Sequence, residues 1–309
     1  DSKNRKMKGL KFSFSIIAAV LLTLIFPDPF LGLGDFKFKA LIIPLLQVIM
    51  FGMGSTMKLT DFAEVMRSPK AVFLGVFLHF SIMPFIGWGL TKVFSFPPEI
   101  AAGIILVGSM PCGLASNVMS YLAKANVALS LTLTSISTLL ASVLTPLLMK
   151  NLAGQLIEID LMAMVWEISK LIIIPITVGV IYNRLVGSRF AWFEKALPTI
   201  SMWSIGAIVV IITANGRDAL LAVGPLLVIA CLLHNVIGFI LGYWGGRASG
   251  LPEQDCRTIA IEVGLQNAGL ASGLAMAMGK VGTLGLPAAI FGPVMNINGS
   301  ALANYWKGK

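Results

Sequence analysis

Of the 14 acidic residues, Glu262 alone lies clearly within an apolar segment, in IAIEVGLQNAGL; the others fall in connections, at segment edges or at the terminus. A carboxylate at that depth is costly in hydrocarbon and marks a functional site by default. A protonated glutamic acid, hydrogen-bonded for structure alone, is the plainer alternative. Gln266 and Asn267 follow in the same stretch. Ser116 and Asn117 stand in a second stretch of similar sequence, and Ser130 and Thr134 follow it. Ser130 and Thr134 are four apart and therefore share a helix face. One carboxylate, amides and hydroxyls together make an all-oxygen site for a hard cation. A single negative charge suits Na⁺ better than Ca²⁺, which gathers several carboxylates.

The two stretches are copies of one another. VGSMPCGLAS (107–116) and VGLQNAGLAS (263–272) share six of ten residues at an offset of 156. FLGVFLHFSIMPFIGWG around His79 matches LLVIACLLHNVIGFILGYWG around His234 at 155, so the only two histidines occupy matching places. The flanks PPE (97–99) and LPE (251–253) match as well. Both motif copies carry Gly, and the first adds Pro, which makes them poor continuous membrane helix. Small residues that let helices pack closely are the bland reading of Gly-Leu-Ala-Ser. Two copies in matching places, beside buried Asn and Glu, favour two helix breaks that face each other.

The elements that must hold these residues are membrane spans. Apolar residues form 57% of the 309 residues and charged residues 12%, well away from soluble composition. Apolar runs of bilayer length recur, at roughly 11–27, 38–57, 71–94, 98–124, 127–150, 161–185, 196–215, 219–246, 253–278 and 283–305. The basic amino end resembles a signal peptide without a small-x-small cleavage site, so it is expected to be a retained first span. The net charge of +9 is scattered singly between spans. Most of it falls on one side when the amino terminus is cytoplasmic, so orientation explains it better than nucleic-acid binding. Cys112, Cys231 and Cys256 show no metal-ligand spacing and read as small buried hydrophobes.

These observations predict an all-α polytopic membrane protein. Ten transmembrane helices form two inverted five-helix repeats (1–154 and 155–309), with discontinuous crossing helices 4 and 9. Five is odd, so the second half enters the bilayer upside down. Inverted repeats are a recurring architecture of secondary transporters, because exchanging the two halves' conformations turns an inward cavity outward.

GLASNVMSYLAKANVALSLTLTSIST (113–138) and IEVGLQNAGLASGLA (261–275), with the ten-span layout, resemble the bile acid:sodium symporter family, and within it the bacterial homologues of the apical sodium-dependent bile acid transporter. The resemblance covers essentially the whole chain. It implies a core domain of spans 3–5 and 8–10 and a panel domain of spans 1, 2, 6 and 7. It also implies a first sodium site at Ser116, Asn117, Ser130, Thr134 and Glu262. A second would use Glu262 and Gln266 with the carbonyls of Val263 and Leu265. The substrate region would hold Asn117, Asn267 and the half-helix amino ends beside them, with Gly269 next to Asn267. Asn296 and Asn298 are further candidate contacts. His79 stands where close relatives have a Gln facing the second sodium. Leu114 and Met295 stand where relatives place Thr and His near the substrate.

The expected function is sodium-coupled symport of an organic anion: a bile acid, or a small carboxylate such as pantoate. Na⁺ serves as coupling ion at two sites, with no other cofactor, no nucleic acid and no obligatory protein partner. The expected place is the cell inner membrane, multi-pass, with both termini cytoplasmic. A cation/proton antiporter, or a proton-coupled organic-anion transporter of related crossed-helix fold, is the alternative. Paired aspartates, the usual mark of such antiporters, are missing from the crossing. An intramembrane enzyme would need a nucleophile or Asp-rich pattern that the chain lacks, so no catalytic residue is assigned. A sensor would need an output domain.

Overall fold

The computed structural model describes residues 15, 18–58, 64–185 and 191–308. Residues 18–25 are helical, and the rest of the expected first span lies mostly outside the described residues. Apart from the one-turn helices Asp28–Leu31, Phe38–Leu41 and Glu64–Arg67, the helices that follow are α1 (Ile42–Thr56), α2 (Pro69–Val93), α3 (Pro98–Gly108), α4 (Ala115–Leu122), α5 (Val127–Ala153), α6 (Leu161–Leu185), α7 (Ala191–Asn215), α8 (Arg217–Ala248), α9 (Glu253–Gly264), α10 (Ala268–Ala277) and α11 (Leu286–Lys307). A two-residue antiparallel hairpin, Gly32–Leu33 with Phe36–Lys37, precedes α1. It turns through Gly34 at φ +57, a left-handed conformation that glycine adopts without penalty.

Among the described residues, Phe38–Thr56, α2, α5, α6 and α8 are long and apolar enough to cross a membrane. Their outward faces expose Phe73, Phe77, Val143, Trp166, Ile174 and Trp244, the apolar surface expected against lipid. The chain is an all-α membrane protein.

α1 packs closely on α6, and α7 packs on α1. Glycines allow the first contact. A Cβ on Gly179 would lie 2.7 Å from the Ser55 nitrogen, and one on Gly54 would lie 2.7 Å from the Ile176 Cα. Backbones this close replace the hydrophobic drive that lipid removes. A second group gathers α2, α3, α5, α8, α9 and α11. Here a Cβ on Gly87 would lie 3.1 Å from the Ile104 carbonyl, and one on Gly242 3.0 Å from the Ala260 Cα. These two contacts join matching helices of the two sequence copies.

The expected spans 98–124 and 253–278 are each divided in two, as α3/α4 and α9/α10. The breaks differ in length. The first runs from Ser109 to Leu114, the second only from Leu265 to Asn267. One residue accounts for much of this. Asn267 accepts from the Leu270 N–H at 2.9 Å and caps α10 at once. Pro111 holds the same place in the first copy. It offers no cap and disfavours helical backbone in the residue before it. The chain there resumes its helix only at Ala115, where α4 has no side-chain cap.

Candidate functional site

Glu262 sits in the last turn of α9 and is 1% exposed. Its Oε1 accepts from the Ser130 hydroxyl at 2.5 Å and from the Thr134 hydroxyl at 3.2 Å; Oε2 lies 3.0 Å from the same Thr134 oxygen. Asn117 of α4 places its Oδ1 2.9 Å from Ser130 Oγ and 3.4 Å from Thr134 Oγ1. Ser116 Oγ is 3.2 Å from Thr134 Oγ1 and donates to the Gly113 carbonyl at 2.9 Å. The five residues expected at a first ion site therefore meet, brought together from α4, α5 and α9.

Counting protons shows what the cluster lacks. Each hydroxyl carries one proton, and an ionised carboxylate carries none. With the Ser116 proton directed at Gly113, the Ser130 and Thr134 protons are the hydroxyl donors that remain. They face three acceptor oxygens, two on Glu262 and one on Asn117. With the carboxylate ionised, the cluster has more acceptor oxygens than hydroxyl donors and holds a negative charge away from water. A small hard cation would satisfy both deficits.

The second expected group clusters at the break. Gln266 Nε2 donates to the Val263 carbonyl at 2.8 Å, while Gln266 Oε1 is buried without a hydrogen-bond partner. His79 of α2 is 2% exposed and spans the two breaks, with Nδ1 2.9 Å from the Glu262 carbonyl and Nε2 2.8 Å from the Met110 carbonyl. When the imidazole is neutral it has one N–H, and one of these carbonyls then faces a ring lone pair. The Leu265 N–H closes α9 by donating to Ile261 at 3.0 Å.

The expected substrate residues are less gathered. The Asn267 side chain is committed to its helix cap. Gly269 is half-buried, and a Cβ there would lie 3.7 Å from Leu46 of α1. Leu114 is half-buried at the start of α4. Met295 turns its sulfur to the Gln266 N–H at 3.3 Å. Asn296 donates to the Gly292 carbonyl of its own helix. Asn298 donates to Asn235 at 2.9 Å, a helix-to-helix bond, and Asn235 donates to the Gly264 carbonyl at 2.8 Å.

Asn235 and Met110 are structural members that sequence reading passed over. Asn235 carried a usable signal, an amide within an apolar span. Met110 acts through its carbonyl, which no residue type announces. His234 bonds the Met83 carbonyl at 2.8 Å and ties α8 to α2.

The all-α membrane architecture is consistent with what the family comparison finds. Residues 43–223 match the sodium bile acid symporter family, and the chain belongs to that family of sodium-dependent membrane transporters. It is 39% identical over 302 residues to the "Uncharacterized sodium-dependent transporter YocS" of Bacillus subtilis (strain 168), covering 97% of this chain and 92% of that one. It is 35% identical over 265 residues to the "Probable sodium/metabolite cotransporter BASS1, chloroplastic" of Arabidopsis thaliana, covering 85% of this chain and 65% of that longer protein. A BASS2 relative from Oryza sativa subsp. japonica, carrying the same cotransporter description, is 33% identical over 261 residues; the match takes in 84% of this chain and 62% of the relative.

Proposed function

We propose that the chain is a symporter that couples Na⁺ to the movement of an organic anion, a bile acid or a small carboxylate such as pantoate, by alternating access. The surplus of acceptor oxygens around Glu262 carries this reading. Na⁺ binds among Ser116, Asn117, Ser130, Thr134 and Glu262. A second ion binds at Glu262 and Gln266 with the Val263 and Leu265 carbonyls, beside His79. The anion docks below the crossing, near Asn117, Asn267, Gly269, Leu114, Met295 and Asn296, where the α10 amino end offers a favourable dipole.

Ten spans in two inverted repeats, 1–154 and 155–309, give the carrier its two faces, with both termini cytoplasmic in the inner membrane. Spans 1, 2, 6 and 7 form the panel, and spans 3–5 and 8–10 the core. The matched glycine contacts of Gly87 and Gly242 support this symmetry.

The test is uptake of labelled pantoate and taurocholate by proteoliposomes with an inward gradient of Na⁺, K⁺ or H⁺. Accumulation driven by Na⁺ alone, and lost in Glu262→Gln, is the expected result. Equal uptake under the proton gradient would overturn sodium coupling.

A further inference from the structure

The polar face of α5 continues past the Glu262 cluster. Thr134, Thr138, Ser142 and Thr145 recur at spacings of four, four and three, so they share one face of the helix, and all four are buried. Most of these hydroxyls are occupied. Thr138 donates to the Thr134 carbonyl at 2.6 Å, and Thr145 donates across to the Ser109 carbonyl at 2.6 Å, in the first break. Ser142 is the exception. It is 7% exposed, and its hydroxyl is buried with no hydrogen-bond partner.

A second oxygen is left over at the same residue. Position 146 is proline, inside α5. Proline has no N–H, so the Ser142 carbonyl loses its donor four residues on. Two oxygens of one buried residue thus lack their ordinary partners. The Thr145 hydroxyl and the Ser109 carbonyl lie one helical turn further along the face.

The other sequence copy handles this place differently. At an offset of 156, Ser142 corresponds to Asn298, whose amide is bonded to Asn235, which is bonded in turn to the Gly264 carbonyl. At 155, Asn235 corresponds to Phe80, which cannot hydrogen-bond. The second copy closes its polar atoms on one another with two amides. The first leaves serine oxygen open.

We propose that Ser142, through its hydroxyl and carbonyl, and with Thr145 and Ser109, forms an accessory binding station for the coupling cation. It stands about 12 Å along α5 from Thr134, at 1.5 Å per residue over eight residues. It stands as far again from Lys150 near the helix end. The station relays Na⁺ between that end and the Glu262 cluster, exchanging hydration for serine and threonine oxygen. This rests on the sodium reading above.

The experiment measures initial uptake against Na⁺ concentration in proteoliposomes for wild type, Ser142→Ala, Ser142→Thr and Thr145→Val, with thermal midpoints in sodium-free buffer beside each. Loss of one ligand should raise half-saturating Na⁺ about three- to tenfold in Ser142→Ala and Thr145→Val. Ser142→Thr, which keeps the hydroxyl, should stay within about twofold of wild type, and the sodium-free midpoint of Ser142→Ala should not move. Wild-type half-saturation in both Ser142→Ala and Thr145→Val overturns the station. So does a fall in sodium-free stability that accounts for the change, the mark of a packing hydroxyl or a buried water. If wild type itself shows no sodium dependence, the parent reading fails instead.

Discussion

The main-chain N–H of Asn267 donates to the carbonyl of Pro111 at 2.8 Å, and the two residues hold the same place, fifth of ten, in the two copies of the repeated motif. Broken helices leave backbone groups that hydrocarbon cannot serve. Here one break serves the other. Gln266 adjoins this bond in sequence and His79 reaches the Glu262 and Met110 carbonyls, so the proposed ion-binding groups sit beside the contact that joins the breaks.

Asn267 has two duties that substitution separates. Asn267→Ala removes the cap of α10 and should cost about 1 kcal/mol of stability. Asn267→Asp keeps the acceptor for Leu270 and should melt close to wild type, yet its negative charge beside the proposed anion region should abolish uptake. Thermal midpoints and anion uptake on the two variants check this. Equal uptake by Asn267→Asp and wild type would remove Asn267 from the substrate region.

The hydroxyls around Glu262 should rank by what they touch. Thr134 contacts both carboxylate oxygens, Asn117 and Ser116, whereas the Ser116 proton is spent on Gly113. Thr134→Val should raise half-saturating Na⁺ about tenfold or more, near 1.4 kcal/mol, and Ser116→Ala by less. Sodium titrations of stability give the order. A larger effect at Ser116 would show that the ion sits elsewhere.

How much of this was legible before the structure follows from what residue types reveal. Glu262, Ser130 and Thr134 were readable because a lone carboxylate and an i, i+4 hydroxyl pair are rare in apolar sequence. The breaks were readable because Gly and Pro interrupt it. Their unequal lengths were not, since the difference turns on whether the residue at one place can cap, as Asn267 does, or cannot, as with Pro111. The Met110 and Pro111 carbonyls were invisible for a simpler reason: every residue has one. Span edges near the sites were close to expectation, although α7 begins at Ala191 rather than 196 and α11 runs on to Lys307.

Stability should respond oppositely at two helix glycines. A Cβ on Gly179 would press on the α1 backbone, against the Phe51 carbonyl, the Ser55 nitrogen at 2.7 Å and the Gly54 carbonyl carbon at 2.9 Å, while one on Gly89 meets nothing within 4 Å. Gly179→Ala should cost about 1–3 kcal/mol through overpacking. Gly89→Ala should add about 0.5–1 kcal/mol through helix propensity. Melting of both variants in detergent is the check, and a neutral Gly179→Ala would deny the tight α1–α6 crossing.

The turn between α7 and α8 meets the segment before α11 through paired glycines. A Cβ on Gly282 would lie 2.5 Å from the Asn215 carbonyl and 3.3 Å from the Gly216 nitrogen. We propose that this contact closes and reopens in the alternating-access cycle. Gly282→Val should hold it apart, abolishing uptake while Na⁺ still stabilises the protein. Uptake at the wild-type rate would show that the contact need not close.

The central claim is that Glu262 and its oxygen partners bind Na⁺, and thermal stability tests it most directly. The purified protein and Glu262→Ala are melted in NaCl, KCl and choline chloride at matched ionic strength. An ion that binds only the folded state stabilises by about 2.7 kcal/mol at a hundredfold excess over its dissociation constant. The account predicts saturable stabilisation of the wild type by Na⁺ alone, absent in Glu262→Ala. The same sodium response in both proteins would contradict it.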